Sequence, residues 1–296
     1  MSTFVKIKGI AAVTLGAASF GILSTFVKKA YKQDFTLAEV TGTQVLLGAA
    51  FLWLAFFLTN KKTLTKKKYT HPFWLIMLCG MSTGAVSILY YRCVELVPAS
   101  IAIVLLMQYI WIGALLEWLL FKSPPSKVQV IGSIFVIFGT LLSTGIIERG
   151  TETISTTGIL YGLSAATSFS LFIILNGRVG NDYPVLKKSA LMITGASILV
   201  MLVLTPVSLL SLGTWESILP YALVLSLFGT VIPPVLFAYG MPKAGYSLGS
   251  ILSSVELPVA VMMSYFVLHE HVSPLQWSGV IFILIVIILI NTYKRK

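Results

Sequence analysis

The sequence predicts an all-α integral membrane protein, ten transmembrane helices arranged as two inverted five-helix repeats. Three observations carry that prediction. Of 296 residues, 57% are hydrophobic and only 10% charged, against roughly 25% charged in soluble domains. The apolar residues gather into ten runs of about 20, the length that crosses a ~30 Å hydrocarbon core. Finally, a shift of 147 positions lays 100–142 over 247–289 without a gap. Ser100 meets Ser247, Leu105 meets Leu252, Ser126 meets Ser273, Gln129 meets Gln276 and Gly132 meets Gly279, with Ile134-Phe135 on Ile281-Phe282.

The first half supplies spans at 9–27, 37–59, 72–91, 99–121 and 127–145, the second at 157–176, 189–211, 219–240, 247–268 and 274–292. Lys6 and Lys8 ahead of the first run imitate a signal peptide, but nine further spans follow, so this helix is expected to be retained. The second span opens on Thr36-x-x-Glu39, a capping box, which makes Glu39 a cap rather than a site. The fifth and tenth open alike on Ser126-x-x-Gln129 and Ser273-x-x-Gln276, the latter with Pro274 at the first helical position. A weaker echo sets Gly9, Ala17, Ser19 and Phe20 over Gly158, Ala166, Ser168 and Phe169. The repeat unit is therefore five spans, residues 1–150 and 151–296. Because five is odd, the two copies enter the membrane with opposite orientation.

The net charge of +11 does not point to nucleic acid. Sixteen of the 21 Lys and Arg fall in loops on one side of the ten spans, leaving Lys28, Lys29, Lys32, Arg92 and Arg149 on the other. That bias places both termini in the cytoplasm of a multi-pass cytoplasmic-membrane protein. The basic run at 61–68 is a solvated loop beside anionic headgroups. Cys79 and Cys93, 14 positions apart on one helix, are about 21 Å apart along its axis and out of disulfide reach, so they are packing residues. Ile283 is expected to face lipid. Monomer and homodimer remain open.

Glu256 stands near the middle of the ninth span, where a carboxyl group costs about 2.5–3.5 kcal/mol and marks a functional site by default. The alternative is a neutral, hydrogen-bonded structural glutamate. Gly249, Ser253, Glu256, Ala260 and Ser264 share one small, polar face. Pro258 and the adjacent Pro233-Pro234 remove backbone donors and break their spans at similar depth, and broken helices near the midplane are where transporters place sites. Under the 147-residue shift the facing stripe is Ala102, Leu106, Tyr109, Gly113 and Glu117, with Tyr109 the mate of Glu256. Glu117 lies closer to the cytoplasmic mouth, a second candidate for proton coupling. Gln44, Gln108, Ser19, Ser168 and Ser253 are further intramembrane polar groups, candidates for solute contact or interhelical glue.

Enzyme signatures are absent. His269-Glu270-His271 in a loop is a poor metal motif, His71 stands alone at a span end, and no nucleophile–base pair or phosphate-cradling loop occurs. Neither cofactor nor metal is expected.

The ten spans, the duplication and the closing motif of each half resemble the drug/metabolite transporter superfamily in its EamA-type branch. The motif reads Glu256-Leu257-Pro258, Leu268-His269-Glu270, then Ser273, Gln276 and Gly279, with Ser126, Gln129 and Gly132 in the first-half copy. Trp111 and Ser123 stand where the family often has Pro and Glu, and Ser19-Phe20-Gly21 where it often has a Trp-Gly pair. The resemblance implies a central cavity between the halves, opened alternately to each side, and export more often than uptake. The solutes expected are small organic molecules such as amino acids, with Trp111 a further candidate for solute contact. Carriers of phosphorylated solutes are the runner-up. They need Lys or Arg in the cavity, and here the basic residues stay at span ends. A non-transporting receptor or scaffold is the third reading.

Overall fold

A computed structural model describes residues 3–59, 69–97, 99–143, 155–269 and 271–293. Among them, eight helical spans are long and apolar enough to cross a membrane. Two shorter apolar helices occupy the fifth and tenth positions. The first span is α1 (Thr3–Phe20) plus α2 (Leu23–Tyr31), the second α3 (Leu37–Thr59), the third α4 (Phe73–Leu96). The fourth is α5 (Ala99–Met107) plus α6 (Tyr109–Phe121), and the fifth α7 (Lys127–Ser143). Then come α8 (Thr156–Arg178) and α9 (Val185–Leu204). The eighth span is α10 (Leu212–Leu225), a π-helical turn at Ser226–Val231 and α11 (Ile232–Ala244). The ninth is α12 (Tyr246–Ser253) plus α13 (Glu256–Leu268), and the tenth α14 (Pro274–Tyr293).

The packing follows the duplication. The first span packs on the eighth as the sixth packs on the third, the second packs on the seventh, and the fifth on the tenth. Exchanging the halves turns the first of these pairings into the second and returns the other two unchanged, the mark of an inverted repeat. Backbones meet at small residues, as membrane helices require: Gly80 of α4 lies on the backbone of Met192, and Gly195 of α9 on that of Met77.

Local geometry repeats too. Lys122 and His269, 147 positions apart, both end their helices in the left-handed conformation, at φ 53° and 54°. The fourth and ninth spans break at matched places. Gln108 N–H donates to Leu105 O, and Val255 N–H to Leu252 O, the same tightened i to i−3 bond at shifted positions. The expected capping boxes are formed at Thr36–Glu39 and Ser273–Gln276, with side chain to backbone bonds in both directions.

Several expectations need correction. The seventh span begins at Val185, not 189, so Lys188 is not a loop charge; it is 2% exposed. The first span continues to Tyr31 and is interrupted at Gly21-Ile22, which the sequence did not suggest. Ile283 is fully buried against Gly139 of the fifth span, because the pairing of α7 and α14 turns that face inward. The 61–68 run, Arg149 and Glu270 lie outside the described residues. Cys79 and Cys93 are free and buried.

Candidate functional site

Four interruptions surround one cavity, and each has a hydrogen-bonding cause. In the ninth span, Pro258 has no N–H for Ser254 O. Leu257 N–H takes that carbonyl at 3.2 Å instead, tightening the turn two to four residues before the proline and making Glu256 the first residue of α13. A carboxyl group there also faces the positive end of its own helix.

In the eighth span the break precedes Pro233-Pro234 in the same way. Ile232 N–H bonds back to Leu227 O, the π spacing, so Phe228 O would need the N–H that Pro233 lacks. Ser19 Oγ supplies it, donating to Phe228 O at 2.8 Å. Thr230 Oγ1 donates to Gln44 O at 3.1 Å and fixes the same turn to α3. Single π-turns inside helices occur frequently at functional sites.

The fourth span breaks without a proline, since its matched residue is Trp111. Gln108 Nε2 donates to Val104 O, the carbonyl that its own N–H has left, and Gln108 Oε1 accepts from Trp111 Nε1 at 2.7 Å. The first span breaks because its backbone is pressed on the ninth. A Cβ on Gly21 would stand 2.5 Å from Glu256 O and 2.7 Å from Val259 Cβ.

The cavity lies between the halves. Its walls include Ser24 from α2, Gln44 from α3, Thr83, Ser87, Tyr90 and Tyr91 from α4, Phe169 and Phe172 from α8, and Glu256 and Ala260 from α13. It offers about 40 Å³ to the centres of water molecules, room for roughly three at 10–15 Å³ each. Counting along the helices, Gln44, Ser24, Tyr90 and Tyr91 all lie in the membrane half away from the chain ends. Toward the face carrying the ends, here the terminal face, four aromatic rings form a floor. Phe20 meets Phe169, Phe172 and Phe237 edge-on at 5.7–6.4 Å, and Phe172 stacks on Phe169 and Phe237.

The polar wall is incompletely paired. Tyr91 Oη donates to Gln44 Oε1 at 2.9 Å. Glu256 Oε2, Tyr90 Oη and Thr83 Oγ1 are buried with no protein partner. A buried polar atom without a partner costs about 1–3 kcal/mol, so three in one cavity mark a surface built to receive hydrogen-bonding groups. No Lys or Arg is among the described residues of the wall.

Of the side chains proposed from sequence for solute contact or proton coupling, Glu256 and Gln44 meet in this wall, joined by Leu106 and Ala260 of the two stripes. The others stand elsewhere. Tyr109 is fully buried behind Phe169, its ring centroid 4.8 Å away, and its hydroxyl donates to Ser250 O. Gln108 stabilises a helix break, and Trp111, 45% exposed, points outward. Ser253 Oγ donates to Gly249 O and Ser19 serves the π-turn, while Ser168 is half-buried outside the wall. Glu117 forms an ion pair with Arg178 at 2.7 Å, and that guanidinium lies over Phe121. The break at Ser254-Val255 explains why the Gly249–Ser264 stripe does not hold together: helical periodicity restarts at Glu256. What sequence reading missed is the third span. Thr83, Ser87, Tyr90 and Tyr91 fall at i, i+4, i+7 and i+8, a polar stripe that the periodicity applied to Glu256 would have found.

No described group of three or more His, Cys, Asp or Glu is arranged to hold a metal ion.

A ten-span inverted repeat with a polar cavity at its helix breaks is the architecture of a membrane transporter. Comparison with known proteins makes this specific. The family model of the EamA-like transporter family matches twice, over residues 7–145 and 156–292. The chain belongs to that family. It is 22% identical over 254 residues to the uncharacterized transporter YwfM of Bacillus subtilis, covering 86% of this chain and 83% of that one. It is 23% identical over 242 residues to the threonine/homoserine exporter RhtA of Escherichia coli, covering 80% and 76%. A solved crystal structure with 15% identity superposes with a TM-score of 0.71 over 95% of this chain and 98% of its own, which shows the fold.

Proposed function

We propose that this chain is a secondary exporter of small amine-bearing solutes, amino acids among them, working by alternating access with Glu256 as the proton-coupling residue. The observation that carries the reading is the unpartnered Glu256 Oε2 in a cavity shared with Tyr90 Oη and Thr83 Oγ1. A carboxylate receives an ammonium group by charge-assisted hydrogen bonds, and the aromatic rings beside it favour a cation over their faces. Gln44 and the hydroxyls supply donors and acceptors for the rest of a polar solute. When the ammonium leaves, a proton takes its place on Glu256, and this exchange couples solute movement to the proton gradient.

The same reading takes residues 1–150 and 151–296 as the moving halves. It puts the protein in the cytoplasmic membrane with both termini inside. The similarity to RhtA, a threonine/homoserine exporter, supports amino acids as the solute class and export as the direction. The lack of a basic residue in the described wall disfavours phosphorylated solutes.

Purified protein in liposomes, given labelled L-threonine and a pH gradient, tests this. Wild type accumulates the label. Glu256→Gln keeps shape and hydrogen bonding, so it is expected to exchange label at equal concentrations but to lose gradient-driven accumulation at least tenfold. Full pH-driven accumulation by Glu256→Gln overturns the coupling role. Binding without flux in wild type marks a receptor instead.

A further inference from the structure

We infer that Asn176 is a second solute-binding station on the terminal side of the aromatic floor, occluded in this conformation and exposed when the floor opens. The inference rests on the transporter reading and adds to it a site that neither the sequence motifs nor the cavity reveals.

Two independent observations meet at this residue. The first is position. Asn176 follows Phe169 by seven residues and Phe172 by four on the unbroken α8, so it lies on the same face of that helix, about 10 Å below Phe169 toward the terminal face. Arg178, nearly opposite on the helix, turns outward to Glu117, leaving Asn176 on the inward side.

The second is chemistry. Asn176 is fully buried, and neither Oδ1 nor Nδ2 has a protein partner. A carboxamide left in that state opposes the fold, whereas a leucine of similar size would not. Its surroundings show what it would bind. Lys188, itself 2% exposed, places Nζ 2.7 Å from the Asn176 backbone oxygen and 2.9 Å from Asn181 Oδ1. An ammonium group has three donors, and these bonds use two. A residue that offers an unpaired carboxamide donor while its backbone oxygen holds a buried ammonium with one donor to spare suits a carboxylate. The two stations therefore divide an amino acid's charges: Glu256 takes the ammonium above the floor, and Asn176 with Lys188 takes the carboxylate on the way through.

The floor between them is the part that must move. Phe20 touches Phe169, Phe172 and Phe237 and sits immediately before the break at Gly21-Ile22, so a rotation there swings one ring off three.

The test uses full-length protein with Cys79 and Cys93 replaced by alanine and one cysteine at position 176. In membrane vesicles of known sidedness, a water-soluble maleimide is expected to label Asn176→Cys from the terminal face at least tenfold faster than a cysteine at Ile193. Ile193 is fully buried in the core of α9. Labelling no faster than Ile193→Cys from either face overturns the station, whether or not the protein carries threonine, because the readout needs no solute. Asn176→Leu supplies the second measurement. The station predicts an unchanged or raised thermal midpoint together with at least tenfold slower L-threonine exchange. Wild-type exchange by that variant overturns it. If wild type itself moves no L-threonine while Asn176→Cys still labels from the terminal face, the station stands and the assignment of threonine fails.

Discussion

Tyr90 and Thr83 carry hydroxyls that do nothing for the fold as it stands, since both are buried and unpaired beside Glu256. A residue retained for folding alone would have been a phenylalanine or a valine. Tyr90→Phe is therefore expected to leave the thermal midpoint unchanged or raise it, removing an orphaned hydroxyl that costs about 1–3 kcal/mol. The same change should raise the KM for an amine-bearing solute about tenfold or more. A fall in midpoint of several degrees would show that the hydroxyl is structural. Gly21 makes the opposite case. Its Cα lies so close to Glu256 O that a methyl group would have to displace the ninth span. Overpacking of this kind typically costs about 1–3 kcal/mol, so Gly21→Ala should lower the midpoint and slow transport together, whereas Ala18→Gly, a deletion on the same helix, should not slow transport.

At the scale of the helix, the sequence was a good guide to existence and a poor one to continuity. Ten spans were legible because a run of about 20 apolar residues has one solution in a bilayer. The inverted repeat was legible because caps and glycines recur at fixed spacing, and the matched left-handed ends at Lys122 and His269 carry it into the backbone. The prolines pointed to breaks, but placed them a turn late. A proline withholds its donor from the carbonyl four residues earlier, and the helix rearranges there, at Ser254-Val255 and at Ser226–Val231. The breaks at Gln108 and Gly21 were hidden for another reason. One depends on a side chain folding back onto Val104 O, the other on contact with a distant helix, and neither leaves a pattern in the sequence. Tyr109 was misjudged because the repeat relates positions and not environments: its symmetry mate Glu256 faces a cavity that belongs mostly to one side of the pseudo-axis.

The segments joining helices hold one electrostatic clasp. Asp182, between α8 and α9, accepts the Thr70 amide at 2.6 Å, while Tyr183 stacks on Tyr69 at 3.8 Å and donates to His71 O. Slight burial opposes ionisation of Asp182, but the hydrogen bonds from Thr70 outweigh it and hold the carboxyl below its usual value. A depressed carboxyl contributes its stability above the unfolded-state value near 3.8 and loses it as pH falls through the lower folded-state value. The exposed setting keeps this contribution small. Hydrogen exchange at the Thr70 amide should be slow at pH 7 in wild type and faster in Asp182→Asn, with no comparable change at Thr43 in α3. Equal rates in the two proteins at Thr70 would remove the clasp.

At the scale of the whole molecule, the two halves meet around a cavity floored by aromatic rings. Its polar groups crowd the membrane half away from the chain ends, and the aromatic floor lies toward them. Under the proposed alternating access, the second conformation is the one in which each half adopts the packing its partner now holds. Alternating access requires the wall around Glu256 to meet water from both faces of the membrane. Ala260 lines the cavity one turn beyond Glu256 and bears no functional group of its own. With Cys79 and Cys93 replaced by alanine, Ala260→Cys should react with a water-soluble maleimide applied from either face of the membrane. An amine-bearing solute that is transported should slow both reactions at least fivefold. Reaction from one face alone, unchanged while solute is being carried, would contradict alternating access through this cavity.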